Sequence, residues 1–575
     1  MKRSGAQIVW EMLRHEGVEV VFGMPGGSIM TTYHPLQDYG IRHVLIRHEL
    51  AAAHAADGYA RVSGRVGVAM ATSGPGATNL TTGIATAMMD SIPLVCITGQ
   101  VASSTIGSDA FQESDITGIT LPITKHNYLV TDVDELAETI HEAFYIAQTG
   151  RPGPVLIDLP KDVQCAVTDF AVPEDRVDLP GYHPDCMIDD AALDRAAERI
   201  ESAKRPVILA GHGVVRAGAR EELRLLAERM EMPVATTLLG KGSLSETHPL
   251  SLGMVGMHGA APANHAVQEA DLLLALGMRF DDRFTGCLER FAPHAAVVHV
   301  DLDVSEIGKN VPVDVAIVAD VRDVLKGLLA RASKASHVAW IERIEVLRAD
   351  AKEHEVLEHT DSESLTAPHV IDEIWRQTGG KAIVVADVGQ NQMWSSQYYR
   401  SDGVRPFVTS GGLGPMGFAL PAAIGAQIAA PDAEVWVIAG DGGFQMNIQE
   451  LATVVQEDLP LKMAVLNNGF LGMVRQWQEF FFDHRYESTR LLSPDFARVA
   501  RAYDIAGERA GTQKESEDAI RAARSPKAGP ALIEFAVTSE GDAGNVYPMV
   551  PPGAALHEMM RRPIAVGSKG QGAGR

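Results

Sequence analysis

The sequence is short of cysteine, and the few cysteines it has are not paired along the chain. Cys96, Cys165, Cys186 and Cys287 lie far apart, with no CxxC motif. Such spacing fits neither a zinc site nor the disulfide framework of a secreted protein. We therefore expect a protein that works in a reducing compartment.

Long apolar runs are also missing. No stretch reaches the length of a membrane-spanning helix, and the first residues show neither the apolar core of a signal peptide nor a transit extension. Helical spacing of apolar residues begins at once, with Ile8, Val9, Met12 and Leu13. We expect a cytoplasmic protein with no membrane partner.

Basic residues are fewer than acidic ones. The chain has 50 lysines and arginines against 74 aspartates and glutamates, a net charge of −24. Because nucleic-acid binding depends on basic patches, this balance argues against a nucleic-acid partner, and we interpret the charge as a source of solubility. A hydrophobic content of 46% with 22% charged residues is typical of soluble globular enzymes.

The pattern along the 575 residues predicts three domains, since the chain is too long for one hydrophobic core. Three blocks alternate strand and helix signals. They are separated by a linker rich in Pro and Asp at 166–185 and by a charged helical stretch at 331–360. Such alternation predicts three doubly wound α/β domains with parallel sheets. Their expected bounds are 1–168, 188–335 and 366–545, followed by a C-terminal tail, 546–575.

One apolar stretch, VWVIAGDGGF at 435–444, ends in an acid among glycines. After GDG, 24 residues lead to a second apolar stretch that ends in Asn467-Asn468. Adjacent parallel strands end side by side, so we expect Asp441 and Asn468 to converge on a hard cation such as Mg²⁺. The glycines admit a diphosphate to the backbone, and a helix over 444–456 is expected to direct its first N–H groups at it. GDG alone is typical of a Gly-Asp turn; with the asparagines it predicts a metal–diphosphate site.

This spacing resembles the thiamine-diphosphate (ThDP) signature of the pyruvate-oxidase-like family. The resemblance covers nearly the whole chain and is strongest to the biosynthetic acetohydroxyacid (acetolactate) synthases, in their catalytic large subunits. It implies the ThDP-binding fold, with a pyrimidine-binding first domain, an FAD-binding-type central domain and a diphosphate- and Mg²⁺-binding last domain. The segments that carry it are RHELAAAHAADGYARVSG (47–64), SGPGATN (73–79), RPGPVLIDLPKDV (151–163), LGMRFDDRFTG (276–286), GGLGPMGFALPAAIGA (411–426) and LGMVRQWQEFFF (471–482).

The resemblance implies an enzyme that decarboxylates pyruvate and ligates the product to a second 2-ketoacid, pyruvate or 2-ketobutyrate. The products are 2-acetolactate or 2-aceto-2-hydroxybutyrate, on the route to valine, leucine and isoleucine. It further implies a homodimer or tetramer with active sites at the subunit interface, and a small regulatory subunit. The alternatives are a sister ThDP enzyme, either pyruvate oxidase or sulfoacetaldehyde acetyltransferase, and a catalytically silent paralogue that serves as a binding module.

The cofactor residues follow from matched positions. Glu49 alone indicates a helix-start glutamate paired with Arg47 or His48; by resemblance it shares a proton with the ring nitrogen of the ThDP aminopyrimidine. Met416 alone indicates core filling; by resemblance it holds ThDP bent. The implied metal ligands are Asp441, Asn468 and the backbone carbonyl of Phe470. The implied ThDP set is Gly26, Glu49, Gln390, Asn391, Gly414, Met416, Gly440, Gly442, Gly443, Gly472 and Met473.

Two positions depart from the family pattern. Asn391 stands where histidine is usual and keeps a hydrogen-bond donor without the charge, and Pro415 replaces a small or hydroxyl residue.

The RFDDR run distinguishes the chain from the FAD-free catabolic acetolactate synthases and implies a structural FAD. The run alone is equally typical of surface salt bridges among Asp281, Asp282 and Arg283. The implied FAD set is Phe111, Arg151, Gly211, Gly213, Met257, His258, Gly277, Arg279, Asp281, Asp301, Asp320 and Val321.

The implied catalytic set is Glu49, Gln112, Lys161, Arg283 and Trp477. Arg283 is expected to hold the carboxylate of the second ketoacid. Trp477, a core tryptophan by default, is expected to favour an ethyl over a methyl group in the acceptor pocket. Phe111, Gln112 and Lys161 match positions near the substrate channel.

Overall fold

The computed structural model describes residues 1–184, 186–359, 364–404, 406–525, 528–539 and 541–563. These ranges contain three six-stranded sheets, each built of parallel strands, that follow one another along the chain. The predicted α/β fold with three parallel-sheet domains is confirmed. Within the described ranges no helix is both long and apolar enough to cross a membrane.

The first sheet has its central strands buried on both faces, as parallel strands covered by helices require. Across the sheet the strands are Arg42–Leu45, Val20–Gly23, Gly67–Ala71, Leu94–Gln100, Pro154–Pro160 and His126–Leu129. The helices are Gly5–His15, Met30–Tyr33, Glu49–Ser63, Pro75–Asn79, Thr81–Asp90, Ile116–Thr120, Leu136–Gln148 and Lys161–Cys165.

The second sheet forms the central domain. Across it the strands are Ser251–Met254, Val234–Thr236, Pro206–Ala210, Leu272–Leu276, Ala296–Asp301 and Val315–Val318. Its helices are Asp190–Ser202, His212–Arg216, Arg220–Met230, Ala261–Glu269, Asp282–Thr285 and Val321–Arg331, and Val338–Lys352 and Val356–His359 follow. The C-terminal segment returns to this domain: Val550, Leu556 and Met559 are buried in its core.

The third sheet contains both strands of the predicted metal site as neighbours. Across it the strands are Phe407–Val408, Ile383–Ala386, Val435–Gly440, Lys462–Asn467, Ala531–Ala536 and Ala506–Ala510. Its helices are Ala367–Thr378, Gln390–Tyr398, Ala419–Ala429, Asp441–Met446, Leu451–Gln456, Gly472–Phe481, Phe496–Ala502 and Gln513–Ala523.

The first and third domains are joined by two small-residue helices, Glu49–Ser63 and Ala419–Ala429. Their backbones come so close that a Cβ on Gly58 would lie 2.0 Å from the Ala422 carbonyl oxygen. A Cβ on Gly425 would lie 1.8 Å from the carbonyl oxygen of Ala55. Both glycines are therefore required by the close approach, which fixes the two domains against each other.

Two local predictions are wrong. The segment 166–185 is not all linker, because Val167–Asp169 pairs antiparallel with Lys2–Ser4 and closes the first domain. The helix expected over 444–456 is broken, since Asp441–Met446 ends at Asn447 and a separate helix begins at Leu451. Asn447 has an extended φ of −129°, and its side-chain amide donates to the Gly417 carbonyl (2.7 Å) instead of continuing the helix.

Candidate active site

A cavity of about 860 Å³ opens where the central and third domains face each other. Its walls come from the carboxyl ends of strands in both sheets, the position where open α/β sheets bind ligands. Most of the predicted cofactor residues line it, and so do both predicted acceptor residues, Arg283 and Trp477.

Asp441 and Asn468 both line this cavity. The strands before them are paired, with Gly440 opposite Leu466, so the two side chains start from adjacent strand ends. Asp441 is 1% exposed, and one of its oxygens accepts a hydrogen bond from the Ser493 hydroxyl (2.6 Å). The other, Oδ1, is buried and has no hydrogen-bond partner in the described part of the chain. A buried carboxylate oxygen without a partner is costly, so this atom fits a cation.

The electrostatics at Asp441 agree with that geometry. Burial raises the pKa of Asp441 above its usual value, and the Ser493 hydrogen bond opposes the shift. A bound cation favours the ionised carboxylate and offsets the burial. Asn468 lies at the end of the adjacent strand. Its side-chain oxygen accepts from the Phe470 amide (3.0 Å), and its side-chain nitrogen donates to the Gln390 side-chain oxygen (3.3 Å).

The helix expected to direct its N–H groups at a diphosphate is Asp441–Met446. It begins at Asp441 itself, so Gly442 and Gly443 lie in its first turn. Side chains would not fit here. A Cβ on Gly443 would lie 3.0 Å from the Asp387 carboxylate, and one on Gly472 would lie 2.1 Å from the Gln390 side-chain oxygen. These glycines pack closely against protein side chains, and they line the cavity with backbone alone, as the approach of a diphosphate requires.

Met416 lies on the loop 411–418, and a buried carboxylate accepts hydrogen bonds from the C-terminal end of this loop. Asp387 follows the strand Ile383–Ala386 and accepts the backbone amides of Val388 (2.7 Å), Gly417 (3.0 Å) and Ala419 (3.4 Å). Burial raises the pKa of Asp387 to about 6. Sequence reasoning missed this residue, although it follows an apolar strand just as Asp441 does.

The N-terminal end of the same loop donates hydrogen bonds to a carboxylate of the first domain. Asp90 is 2% exposed and accepts the amides of Gly412 (2.7 Å) and Gly411 (3.2 Å). It also accepts from the Arg61 guanidinium (2.7 Å), which is paired with Asp57 as well (2.5 Å). Since Gly411 and Gly412 lie more than 300 positions from Asp90 in the chain, no sequence signal could have linked them to it.

Asn391, one of the departures from the family pattern, has its amide nitrogen already engaged. It donates to the carbonyl oxygens of Asp387 (2.7 Å) and Ile438 (3.3 Å). Because both neighbours can only accept, the atom facing them must be the nitrogen. The side chain therefore ties two strand ends together, and its oxygen is the polar atom left for the cavity side.

Arg283 and Trp477, predicted from different domains, are in contact. The guanidinium carbon of Arg283 lies 5.8 Å from the Trp477 ring centroid, and one of its nitrogens lies 3.5 Å from the Met257 sulfur. The salt-bridge alternative is weak: Arg283 is 3.8 Å from Asp282, and those side chains are 62% and 81% exposed. A cation and an aromatic face at a cavity wall can together hold a small organic acid.

The predicted FAD residues, apart from Phe111 and Gly211, line the central-domain half of the same cavity. Gly211 lies against the wall, where a Cβ would be 2.2 Å from the Gly277 carbonyl oxygen. Asp281 and Asp320 are also helix N-caps, accepting the amides of Phe284 (3.1 Å) and Arg322 (2.8 Å). Burial raises the pKa of Asp301, at the end of its strand, to about 6.

Of the predicted first-domain residues only Arg151 lines the cavity of its own chain, whereas Gly26, Glu49, Phe111, Gln112 and Lys161 are absent from its described wall. Glu49 is 6% exposed and accepts from the Asn79 amide (3.0 Å). It is not paired with Arg47, whose guanidinium binds the Leu45 carbonyl (2.7 Å) and Gln456 (2.7 Å). Phe111 is 87% exposed, on the loop where Gln112 has a φ of +59°.

Several cavity residues escaped the sequence analysis. His212 and Arg216 line the wall close to Gly213 in the chain, and Thr237 and Leu238 line it as well. His212 stands between two predicted glycines and Arg216 follows one helical turn later, so their positions were available as a signal.

Comparison with known proteins assigns the three sheets to one family. The first domain matches the thiamine pyrophosphate enzyme N-terminal TPP binding domain over 3–119, the second the central domain over 193–328, and the third the C-terminal TPP binding domain over 387–535.

Curated relatives match nearly the whole chain. Acetolactate synthase of Mycobacterium bovis is 48% identical over 97% of this chain and 91% of its own length. The acetolactate synthase large subunit of Corynebacterium glutamicum is 46% identical over 96% and 89%. The probable acetolactate synthase large subunit of Methanocaldococcus jannaschii is 46% identical over 98% and 96%.

Proposed function

Because the chain belongs to the acetolactate synthase large subunits of the thiamine pyrophosphate enzyme family, we propose that it decarboxylates pyruvate and ligates the product to a second 2-ketoacid. The product is 2-acetolactate from pyruvate, or 2-aceto-2-hydroxybutyrate from 2-ketobutyrate. The observation that carries the proposal is the buried Asp441 carboxylate, with one oxygen unpartnered among the described residues, beside Asn468 in a cavity of this family's ThDP domain.

ThDP supplies the electron sink for decarboxylation when it is bound. We assign Mg²⁺ to Asp441 Oδ1, the Asn468 side-chain oxygen and the Phe470 carbonyl, an all-oxygen set that suits this cation. The backbone at Gly440, Gly442 and Gly443 approaches the diphosphate. The unpartnered oxygen of Asp441 supports this arrangement.

Met416 supports the bent cofactor, and the loop that presents it is held at both ends by Asp90 and Asp387. Gln390 borders the diphosphate together with Gly414, Gly472 and Met473. Asn391 acts mainly through the backbone carbonyls that it ties together, which explains how the site tolerates the loss of the usual histidine.

Glu49 holds a proton at the aminopyrimidine of ThDP, and it reaches that position from a second copy of the chain. The separation of Glu49 from the cavity of its own chain supports a homodimer, or a dimer of dimers, with shared active sites. Gly26, Gln112, Lys161 and the exposed Phe111 belong to the same contributed surface.

Arg283 binds the carboxylate of the second ketoacid, and Trp477 shapes the pocket for its methyl or ethyl group. One methylene changes binding by about 1–3 kcal/mol in such a pocket, enough to set a preference for one acceptor.

FAD occupies the central-domain half of the cavity in a structural role. The bare backbone at Gly213 and Gly277 and the carboxylates of Asp301 and Asp320 support this placement. We propose the domain bounds 1–168, 188–335 and 366–545 with the tail 546–575, of which 564–575 lie outside the described residues. A cytoplasmic location and a small regulatory subunit complete the proposal.

The test is a steady-state assay with pyruvate, with and without 2-ketobutyrate, at varied ThDP and Mg²⁺. Acetolactate formation that depends on both cofactors is expected. Acetyl phosphate in place of acetolactate would indicate a pyruvate oxidase, and no turnover with bound ThDP would indicate a silent paralogue.

A further inference from the structure

One arginine on the cavity wall has no hydrogen-bond or ion-pair partner among the residues that the structure describes. Arg216 ends the helix His212–Arg216 and lines the central-domain half of the cavity. Its side chain makes neither a hydrogen bond nor an ion pair within the described ranges, and its Nε atom is buried without a partner. Nε is one of five guanidinium donors, and leaving a buried donor unmet costs free energy that a ligand can recover.

The other arginines of the cavity are engaged. Arg151 binds Asp303 and Glu306, each at 3.0 Å. Arg279 lies 3.9 Å from Asp281, and Arg283 stacks on Trp477. Arg216 therefore differs from its neighbours by its lack of any protein partner among the described residues.

The acids that pair with Arg61, the cation whose charge acts on Arg216, are not free to compensate Arg216 as well. Asp57 and Asp90 are taken by Arg61, and Asp90 also accepts two backbone amides. Burial, and then the charge of Arg61, lower the pKa of Arg216 below its usual value. The local field thus favours an anion that comes from outside the chain.

His212 lies one helical turn before Arg216, on the same face. Its Nδ1 is 3.2 Å from the Leu239 carbonyl oxygen, which can only accept, so Nδ1 carries the proton. In the neutral ring Nε2 is then an acceptor, and it is buried with no partner in the described chain. Burial lowers the pKa of His212 to about 3, which keeps the ring neutral.

We propose that Arg216 binds a phosphate of the cofactor in the central-domain half of the cavity, while His212 accepts a hydrogen bond from an adjacent hydroxyl. A phosphorylated nucleotide carries both groups side by side. The ligand class is thus a nucleotide diphosphate, and the inference rests on the proposed function in naming FAD as that ligand.

The test is FAD titration of the full-length protein, followed by flavin fluorescence. R216Q should bind FAD about 10- to 100-fold more weakly, as expected for lost charge-assisted hydrogen bonds. R216K should recover part of the affinity because it keeps the charge. H212F should lose about 3- to 10-fold, the size of one neutral hydrogen bond. R224Q, which removes an exposed arginine of the same domain, is the matched control and should bind normally.

Thermal unfolding without ligand separates this role from a structural one. R216Q should unfold at the same temperature as the unsubstituted protein or a higher one, because it removes a half-buried charge that has no partner among the described residues. Equal FAD affinity in R216Q and the unsubstituted protein would overturn the proposal, as would equal losses in R216Q and R216K.

A protein that binds no FAD at all would instead contradict the FAD part of the proposed function. ADP then becomes the probe for Arg216. Weaker ADP binding by R216Q supports the phosphate site, and equal binding overturns it.

Discussion

Asp387 and Asp441 follow neighbouring strands of the third sheet, and both are 1% exposed. Burial raises the pKa of each. They differ in hydrogen bonding: Asp387 accepts three backbone amides, whereas Asp441 meets Ser493 with one oxygen and has no partner for the other in the described ranges. Burial alone therefore does not separate a carboxylate that binds a ligand from one that positions a loop.

What distinguishes the two kinds of buried acid is whether an oxygen is left without a hydrogen-bond partner. Asp90 belongs with Asp387, because it accepts two amides and an arginine. Glu49 belongs with Asp441, because among the described residues only one of its oxygens accepts a hydrogen bond, from Asn79. We expect the first pair to support stability and the second pair to support cofactor chemistry.

The largest effect is expected for Asp441→Ala. Loss of a charged ligand removes several kcal/mol of cation binding, so activity should fall by about 100-fold or more. ThDP affinity in the presence of Mg²⁺ should be lost in fluorescence titration. The melting temperature without cofactors should not fall, because the variant removes a poorly satisfied charge. Unchanged ThDP affinity would refute the metal role.

Glu49→Gln should slow turnover by about 10²- to 10⁴-fold, the size of a general acid–base contribution. Folding should be intact, because glutamine can still accept the hydrogen bond from Asn79. Full activity would contradict the assignment.

Mixing the two inactive variants tests the shared site. If subunits of E49Q and D441A exchange, mixed dimers contain one complete site, and about a quarter of normal activity should return for random pairing of two copies. A mixture that exchanges subunits but stays inactive would place both residues in one chain's site.

Asp90→Asn should act on stability. The amide would face the donors of Gly411, Gly412 and Arg61, at a cost of about 1–3 kcal/mol in the free energy of unfolding. Denaturant unfolding measures this. The control is Asp518→Asn, which breaks exposed pairs with Lys514 and Arg521 and should change the free energy of unfolding far less than Asp90→Asn. Equal costs for both variants would contradict a positioning role for Asp90.

The smallest effect is a pH dependence at Asp387. Its pKa in the folded protein, about 6, lies above its ordinary value of 3.8, so the folded state holds the extra proton between those values. Its contribution to stability is therefore greatest at the acidic end of this window and falls as pH rises through about 6. The melting-temperature difference between the unsubstituted protein and D387N should shrink from about pH 5 to about pH 7.5. A difference that grows over this range would contradict the assignment.

Much of the fold followed from local pattern. Alternating apolar strands and amphipathic helices predicted three parallel sheets, and the sheets are present. The errors came where a distant partner decided the outcome. Val167–Asp169 forms a strand only because Lys2–Ser4 lies beside it. The helix that begins at Asp441 ends at Met446, and the side chain of the next residue, Asn447, donates to the Gly417 carbonyl.

The site shows the same division. Asp441 and Asn468 could be predicted because each follows an apolar strand, and adjacent parallel strands end together. Asp387 has the same local signature and was passed over, since two of the three amides that it accepts come from residues 30 and 32 positions away. Arg216 was missed because an arginine near a helix end is common, and only its lack of partners among the described residues makes it unusual.

By itself, the sequence determined the alternation of strands and helices, the glycines that keep the backbone bare, and the polar residues at strand ends. These depend on short-range sterics and hydrophobic periodicity. Only the tertiary structure decided which buried groups are satisfied by protein and which remain for a ligand. That outcome depends on partners that lie from 30 to 322 positions apart, which meet only when the chain folds and its domains pack against one another.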